Sequence, residues 1–320
     1  MRIQVSAVVL GAALCLAASA PAQPASLSQA NAALQAGEAD KAVALLNSLP
    51  ATAESHNLRC RVLYTLEHWN AAVDECQKAV DMDGQNSDFH LWLGRALGEK
   101  ADRASFLSAY SLGRRVLQEF QKAAQLNPRN AAALADLGEF YYSAPGIVGG
   151  GTDKAQEVAE ELNRVDPARA HELRAHIAET RKDYTGAERE FKLAIAAGSH
   201  PAFQWMSLGS FYRRRQQWDP MESAVESGFR AAQNDRKAGV AIYNGATILI
   251  RAGRNFDLAA KMLEGYLNSS SKTEEAPAFV ACTKLARLEA QLGDKAAARR
   301  EKDAALALAE EYKPARDLKF

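Results

Sequence analysis

The stretch SAPGIVGGGTDK, residues 143–154, holds five glycines or prolines in twelve residues and raises the question of a phosphate cradle. A phosphate loop needs G-x-x-x-x-G-K-[ST] after a strand. Gly146 and Gly151 have the outer spacing, but Thr152 stands where the lysine must be. The dinucleotide pattern G-x-G-x-x-G fails as well. Gly146, Gly149, Gly150 and Gly151 therefore read first as a structural loop, with Thr152 or Asp153 capping the next helix. A small ligand or an envelope polymer bound at this loop is the alternative reading. HELRAH, residues 171–176, carries two histidines five positions apart. Five residues along a helix rotate a side chain by about 140°, against about 40° for four. His171 and His176 then face different sides and do not suit one metal. SSSK, residues 269–272, contains the Ser-x-x-Lys of serine acyl enzymes without S-D-N or K-T-G. Ser271 and Glu274 make a better capping box for the last helical pair. No G-x-S-x-G elbow occurs. No catalytic constellation is complete, and no cofactor or metal is implied; the chain reads as a non-enzyme.

The N-terminus carries a targeting pattern. Arg2 is the only charge before residue 38, and residues 5–18 form an apolar run of 14. A membrane span needs about 20 residues. Ala20-Pro21-Ala22 supplies a small-x-small cleavage site, so residues 1–22 are expected to be a signal peptide. Leu14 before Cys15 argues against a lipid-anchored cysteine. The expected protein is exported, to the periplasm first and the extracellular medium second. No later apolar run reaches membrane length. Basic and acidic residues balance at 39 each, and no basic stripe suggests a nucleic acid partner. Hydrophobic residues make up 48% of the chain, enough to exclude a disordered one.

The elements that must carry these residues are repeats. LGEFYY at 137–142 and LGSFYR at 208–213 share Leu-Gly-x-Phe-Tyr, and Trp92-Leu93-Gly94 begins the same phrase. CQKAVDMDG at 76–84 parallels FQKAAQLNP at 120–128, and FKLA at 191–194 repeats the start. Ala72, Ala155 and Ala187 each stand four residues before the corresponding large or apolar position. This resembles the tetratricopeptide repeat, a unit of about 34 residues carrying Leu-Gly-x-x-Tyr, then Ala-x-x-x-Phe, then Pro. The resemblance implies an all-α fold, a right-handed superhelical solenoid of about eight such helical hairpins. It covers residues 23–310 and leaves 311–320 as a tail. The units start near residues 27, 53, 87, 131, 169, 202, 238 and 277. Unit three is too long, and GEKADRASFLSAYSLGRR at 98–115 lengthens its helices or adds a short one. Unit four is too long because Tyr141 and Ala155 stand 14 positions apart, which puts the glycines in an enlarged turn. Gly138 and Gly209 are expected to meet small residues of the second helix. Tyr141, Tyr212, Phe120 and Phe191 are expected to fill the space between hairpins. The first, seventh and eighth units match poorly, as expected of terminal repeats that cap a stack of apolar faces.

The resemblance also implies where a partner would bind. First helices line a concave groove, and the protein is expected to scaffold protein–protein interaction through it. The residues facing that groove would be Asn57, Arg61 and Tyr64; Leu91 and Arg95; Glu139 and Tyr142; His176 and Glu179; and Met206, Ser210 and Arg213. Arginines and aromatics suit recognition of a protein or peptide. Trp69, Trp92, Trp205 and Trp218 occupy repeat positions and read as packing. Cys60 and Cys76 fall on facing sides of one hairpin, where they either pair in an oxidising compartment or serve as two small apolar residues. Cys282 reads as buried and free. Partner identity and oligomeric state stay open.

Overall fold

The computed structural model describes residues 25–320. The expected signal peptide, residues 1–22, lies outside the described residues. Among the latter, sixteen helices pair as eight hairpins. The first is α1 (Leu27–Ala36) with α2 (Ala39–Asn47), the second α3 (Ala53–Thr65) with α4 (Trp69–Met82). Then come α5 (Ser87–Ala101) with α6 (Phe106–Leu126), and α7 (Ala131–Ser143) with α8 (Thr152–Asn163). The fifth and sixth are α9 (Pro167–Thr180) with α10 (Tyr184–Ala197), and α11 (Pro201–Arg214) with α12 (Trp218–Ala232). The last two are α13 (Gly239–Ala252) with α14 (Phe256–Asn268), and α15 (Ala278–Leu292) with α16 (Lys295–Leu308). A single turn, α17 (Lys313–Arg316), follows.

Local sequence accounts for the boundaries. Side chains of Ser26, Thr52, Asn130, Asp166 and Asp183 each accept from a backbone N–H of the first helical turn. Pro167 and Pro201 open α9 and α11, where a missing N–H costs nothing. In seven of the eight hairpins the turn between the two helices holds a residue of positive φ. These are Gly37, Gly149, Gly253 and Gly293, with Glu67, Lys182, Gln216 and, near Gly253, Asn255. Two sequence expectations about caps fail. The N-cap of α8 is Gly151, and the Thr152 hydroxyl and the Asp153 carboxylate instead accept from Arg181. Ser271 and Glu274 form no capping box, because α15 begins only after Pro277. The Ser271 hydroxyl donates to the Arg236 carbonyl, and Glu274 reaches the second hairpin.

Packing follows the repeat with one correction. Tyr141, Tyr212, Phe120 and Phe191 are buried, and the Phe191 and Phe211 rings meet at 5.4 Å across the fifth and sixth hairpins. The glycines of the first helices do not meet small residues. A Cβ on Gly138 would collide with Leu173 of the next hairpin, and one on Gly209 would press on Val225 at 3.2 Å. The missing side chain leaves room for a larger one opposite. The long third unit is a long helix, since α6 runs for 21 residues.

The two ends of the solenoid meet. Leu34, Leu46, Leu58 and Val62 of the first two hairpins share one buried cluster with Phe279, Cys282 and Tyr312. Gly37 lies so close that a Cβ there would collide with the Ala278 backbone. Polar contacts flank this apolar seam. Arg61 holds Glu274 with two hydrogen bonds, of 2.8 and 2.5 Å. Gln35 and Glu274 exchange two more. The Glu310 N–H donates to Asp40 at 2.8 Å, and the Tyr312 hydroxyl donates to Glu67 at 3.2 Å. The terminal units therefore cover each other rather than capping an open stack. The expected tail is part of this closure, with Tyr312 and Ala315 buried.

Within the second hairpin, Cys60 and Cys76 are joined as a disulfide between α3 and α4, their Cα atoms 5.2 Å apart. Cross-linking a loop of about 15 residues is worth roughly 3 kcal/mol through the unfolded chain. Reduction should therefore lower unfolding stability by about 2–4 kcal/mol, read as a drop in the urea midpoint. Phe279→Ala empties a wholly buried site on the seam. It should cost about 3–5 kcal/mol and open the ends, seen as a larger radius of gyration in X-ray scattering with helicity kept.

Candidate partner-binding cavity

The first helices of the middle hairpins line a concave cavity of about 1030 Å³. Each contributes from the turns that its neighbours leave uncovered. From α7 come Glu139 and Tyr142, from α9 Glu172 and His176, from α11 Ser210 and Arg213, and from α13 Asn244, Thr247 and Arg251. Glu275 closes one side from the loop before α15.

The wall on α7 and α9 is ordered by stacking and ion pairing. The Tyr142 and His176 rings lie nearly parallel, at 5.2 Å and 14°. His176 Nδ1 stands 3.6 Å from Glu179, which also accepts two hydrogen bonds of 2.7 Å from Arg214 of α11. Burial pushes the Glu179 carboxyl up, but the bonds from His176 and Arg214 outweigh it and hold its pKa at about 2. Glu139 and Glu172 shift the other way. Burial raises both, Asp136 adds to the rise at Glu139, and the Ser207 hydroxyl bonded to Glu172 only tempers it. Burial and the Glu139 charge raise the Tyr142 phenol.

The structure divides the residues nominated from sequence. Glu139, Tyr142, His176, Met206, Ser210 and Arg213 border this one cavity. Met206 is only 2% exposed and forms its floor. Leu91 and Asn57, 3% and 5% exposed, are core residues and not groove residues. Both side chains turn inward because their helices are packed on two sides at those positions. Of the other four, Glu179 is outside the lining and held by Arg214, and three sit on the arc near the seam and are already engaged. Arg61 is bound to Glu274, Tyr64 donates to Glu99 at 3.3 Å, and Arg95 is bound to Asp136 with Nε at 2.5 Å. Trp92 lies between the two guanidinium groups, 5.4 Å from Arg61 and 4.8 Å from Arg95. Burial would lower the Arg95 pKa, and Asp136 more than reverses it.

Other motifs find structural partners. His171 bonds Glu190 of α10 at 2.8 Å, on a different side from His176. Lys272 of SSSK donates to the Leu267 carbonyl at 2.8 Å, at the C-terminal end of α14. In the glycine loop the N–H groups of Val148, Gly149, Gly150 and Gly151 all donate to carbonyls of residues 141–146. That leaves none of these four for an oxyanion. The loop packs on α6 through Val148 and Leu117 and lies away from the cavity. Cys282 is buried and unpaired, and burial together with Glu301 raises its thiol pKa to about 12.

Two sets escaped the sequence reading. Arg251 is the thirteenth residue of α13, as Arg213 is of α11. The weak repeat hides this, because Gly245 is the seventh residue of its helix whereas Gly209 is the ninth of its own. Counting back from the stop at Gly253 recovers the register. The second set is a clamp across the hairpins. His56 bonds Glu75 at 2.6 Å and His171 bonds Glu190, both pairs 19 residues apart. His90 bonds Glu119 at 2.6 Å over 29 residues, in the hairpin with the long α6.

No protein-family model matches the chain, and no curated protein matches it. The solved structures to which it is similar include tetratricopeptide-repeat proteins. A thermophilic one from Thermus thermophilus has a TM-score of 0.47 at 19% identity, over 62% of this chain and all of its own. PilF of Pseudomonas aeruginosa gives 0.46 at 18% identity, over 65% of this chain and 91% of its own. YrrB, described as a tetratricopeptide-repeat protein with an unusual peptide-binding site, gives 0.37 at 16%, over 62% and 95%.

The Glu179 pairing has a pH signature. A carboxyl depressed to about 2 stabilises the fold above the unfolded value near 4.5 and loses that contribution as pH falls from 4.5 to 2. Glu179→Gln should therefore be less stable than the parent at pH 7. The two stability curves should converge as pH falls towards 2, measured by urea unfolding at each pH.

Proposed function

We propose that the chain is a non-catalytic scaffold that takes an extended segment of a partner protein into the cavity lined by α7, α9, α11 and α13. The observation that carries this reading is the lining itself. Aromatic and apolar groups, Tyr142, Phe203 and Ile248, alternate there with hydrogen-bonding groups, Ser210, Asn244 and Thr247. Anchors of both kinds on rigid helices suit peptide recognition. The volume, about 1030 Å³, is near the top of the roughly 300–1,000 Å³ of small-molecule sites. It admits a strand or a chain end and not a folded domain.

We place the protein outside the cytoplasm, in the periplasm first. The leader-like residues 1–22 and a disulfide between Cys60 and Cys76 both fit an oxidising compartment. Among the described residues no helix is long and apolar enough to cross a membrane.

The test is crosslinking capture from envelope extract. The full chain, expressed with its leader and purified from the envelope, serves as bait beside a Tyr142→Ala, Ser210→Arg, Arg213→Ala variant of matched circular dichroism. The purified bait should begin at Gln23. One protein should be captured by the native bait and lost with the variant. Equal capture by both would move the site off the cavity.

A further inference from the structure

The two arcs of the inner surface differ in how their charges are balanced. Near the seam every nominated arginine has a carboxylate, Glu274 for Arg61 and Asp136 for Arg95. Two cations that line the cavity, Arg213 of α11 and Arg251 of α13, lack one, and so does Lys284 of α15 outside that lining. Arg213, Arg251 and Lys284 lie within 4.0 Å of no carboxylate among the described residues. The charges that act on Arg213 are Arg251 and Arg214, and those on Lys284 are Arg251 and Arg287, all of the same sign. Lys284 sits partly buried, 5.5 Å from the Tyr243 ring centre. The carboxylates of the same cavity are placed elsewhere. Asp166 pairs with Arg169, Glu172 accepts from Ser207, and Glu139 and Glu275 stand outside pairing distance of Arg213 and Arg251. Residues 1–24 contain no Asp or Glu and cannot supply a side-chain counter-charge.

Neighbouring cations without a counter-charge suit carboxylates spaced along one segment.

We infer that the cavity takes an acidic polypeptide segment at α11 and α13. Its Asp or Glu side chains meet Arg213 and Arg251, which line the cavity. This rests on the peptide-scaffold reading above and adds the chemistry of the partner. Phosphate would also satisfy the cations; the polypeptide is chosen because the cavity is read above as a peptide site.

The test uses the purified chain and two labelled peptides, repeats of Ala-Glu-Leu-Glu and of Ala-Gln-Leu-Gln. The glutamate peptide should bind about tenfold tighter or more, as desolvated charge pairs allow, and added salt should shrink the difference. An Arg213→Gln, Arg251→Gln variant should bind the two peptides alike. The comparison on the native chain stands even if that variant does not fold. Equal binding of both peptides to the native chain overturns the acidic preference and leaves the scaffold reading intact. Binding of neither overturns both. Tripolyphosphate that binds more tightly than the glutamate peptide overturns the polypeptide assignment and makes the site one for phosphate.

Discussion

A helical hairpin in a stack has an apolar surface on each side, and each must be covered. Six of the eight hairpins meet this need with the neighbours that chain order supplies. The first and the eighth meet it with each other, through Leu34, Leu46, Phe279 and Tyr312. The rest of the architecture depends on this contact. It closes the row of hairpins on itself, and it makes the final residues structural. It also brings Glu274 to Arg61 from 213 positions away. That pair is partly buried, and its worth lies more in register than in net stability. Two chain ends that can slide past each other on apolar contact alone gain one preferred alignment from a bidentate, charge-assisted pair.

Much of the fold was legible because the repeat is local. Hairpins expected to start at 27, 53, 87, 131, 169, 202, 238 and 277 begin within two residues of those positions. Leu-Gly-x-Phe-Tyr and Ala at fixed offsets report on helix–helix contact within a few dozen residues, which periodicity can show. The closure was not legible. A degenerate terminal repeat looks the same whether it faces water or another terminal repeat, and the contacts that decide it join residues 35 and 274. Caps failed for a related reason. Ser271 and Glu274 have the spacing of a capping box, but both side chains are drawn to partners distant in sequence, at Arg236 and Arg61. The glycine loop was read correctly as lacking the lysine of a phosphate site. What makes it structural, four N–H groups turned onto its own carbonyls, needs coordinates.

The site was partly legible for the same physical reason. Position along a first helix fixes which side chains point inward, so Glu139, Tyr142, His176 and Ser210 fell where counting put them. Counting cannot tell whether an inward residue is already engaged. Arg61, Arg95 and Arg213 look alike in sequence, and only the packed structure separates two balanced cations from one without a carboxylate. Leu91 and Asn57 failed because inward positions deep in a hairpin are closed over by the next one.

The uneven charge balance ties binding to stability. Along the seam arc, pairing holds the solenoid together and leaves little attraction for a guest. On α11, α13 and α15, burial depresses Arg213 and Lys284, and like charges depress them further. A chain that keeps such a cluster tolerates a folded state less stable than a paired one would be. A guest carboxylate removes repulsion between hairpins as well as adding attraction of its own. Binding energy then stabilises the two hairpins of α11 and α13 at once, since a ligand specific to the folded state stabilises it. A concave surface whose arginines are paired on α3 and α5 and unpaired on α11 and α13 is a physical basis for orienting a segment along it, because only one end of an acidic strand meets unbalanced charge.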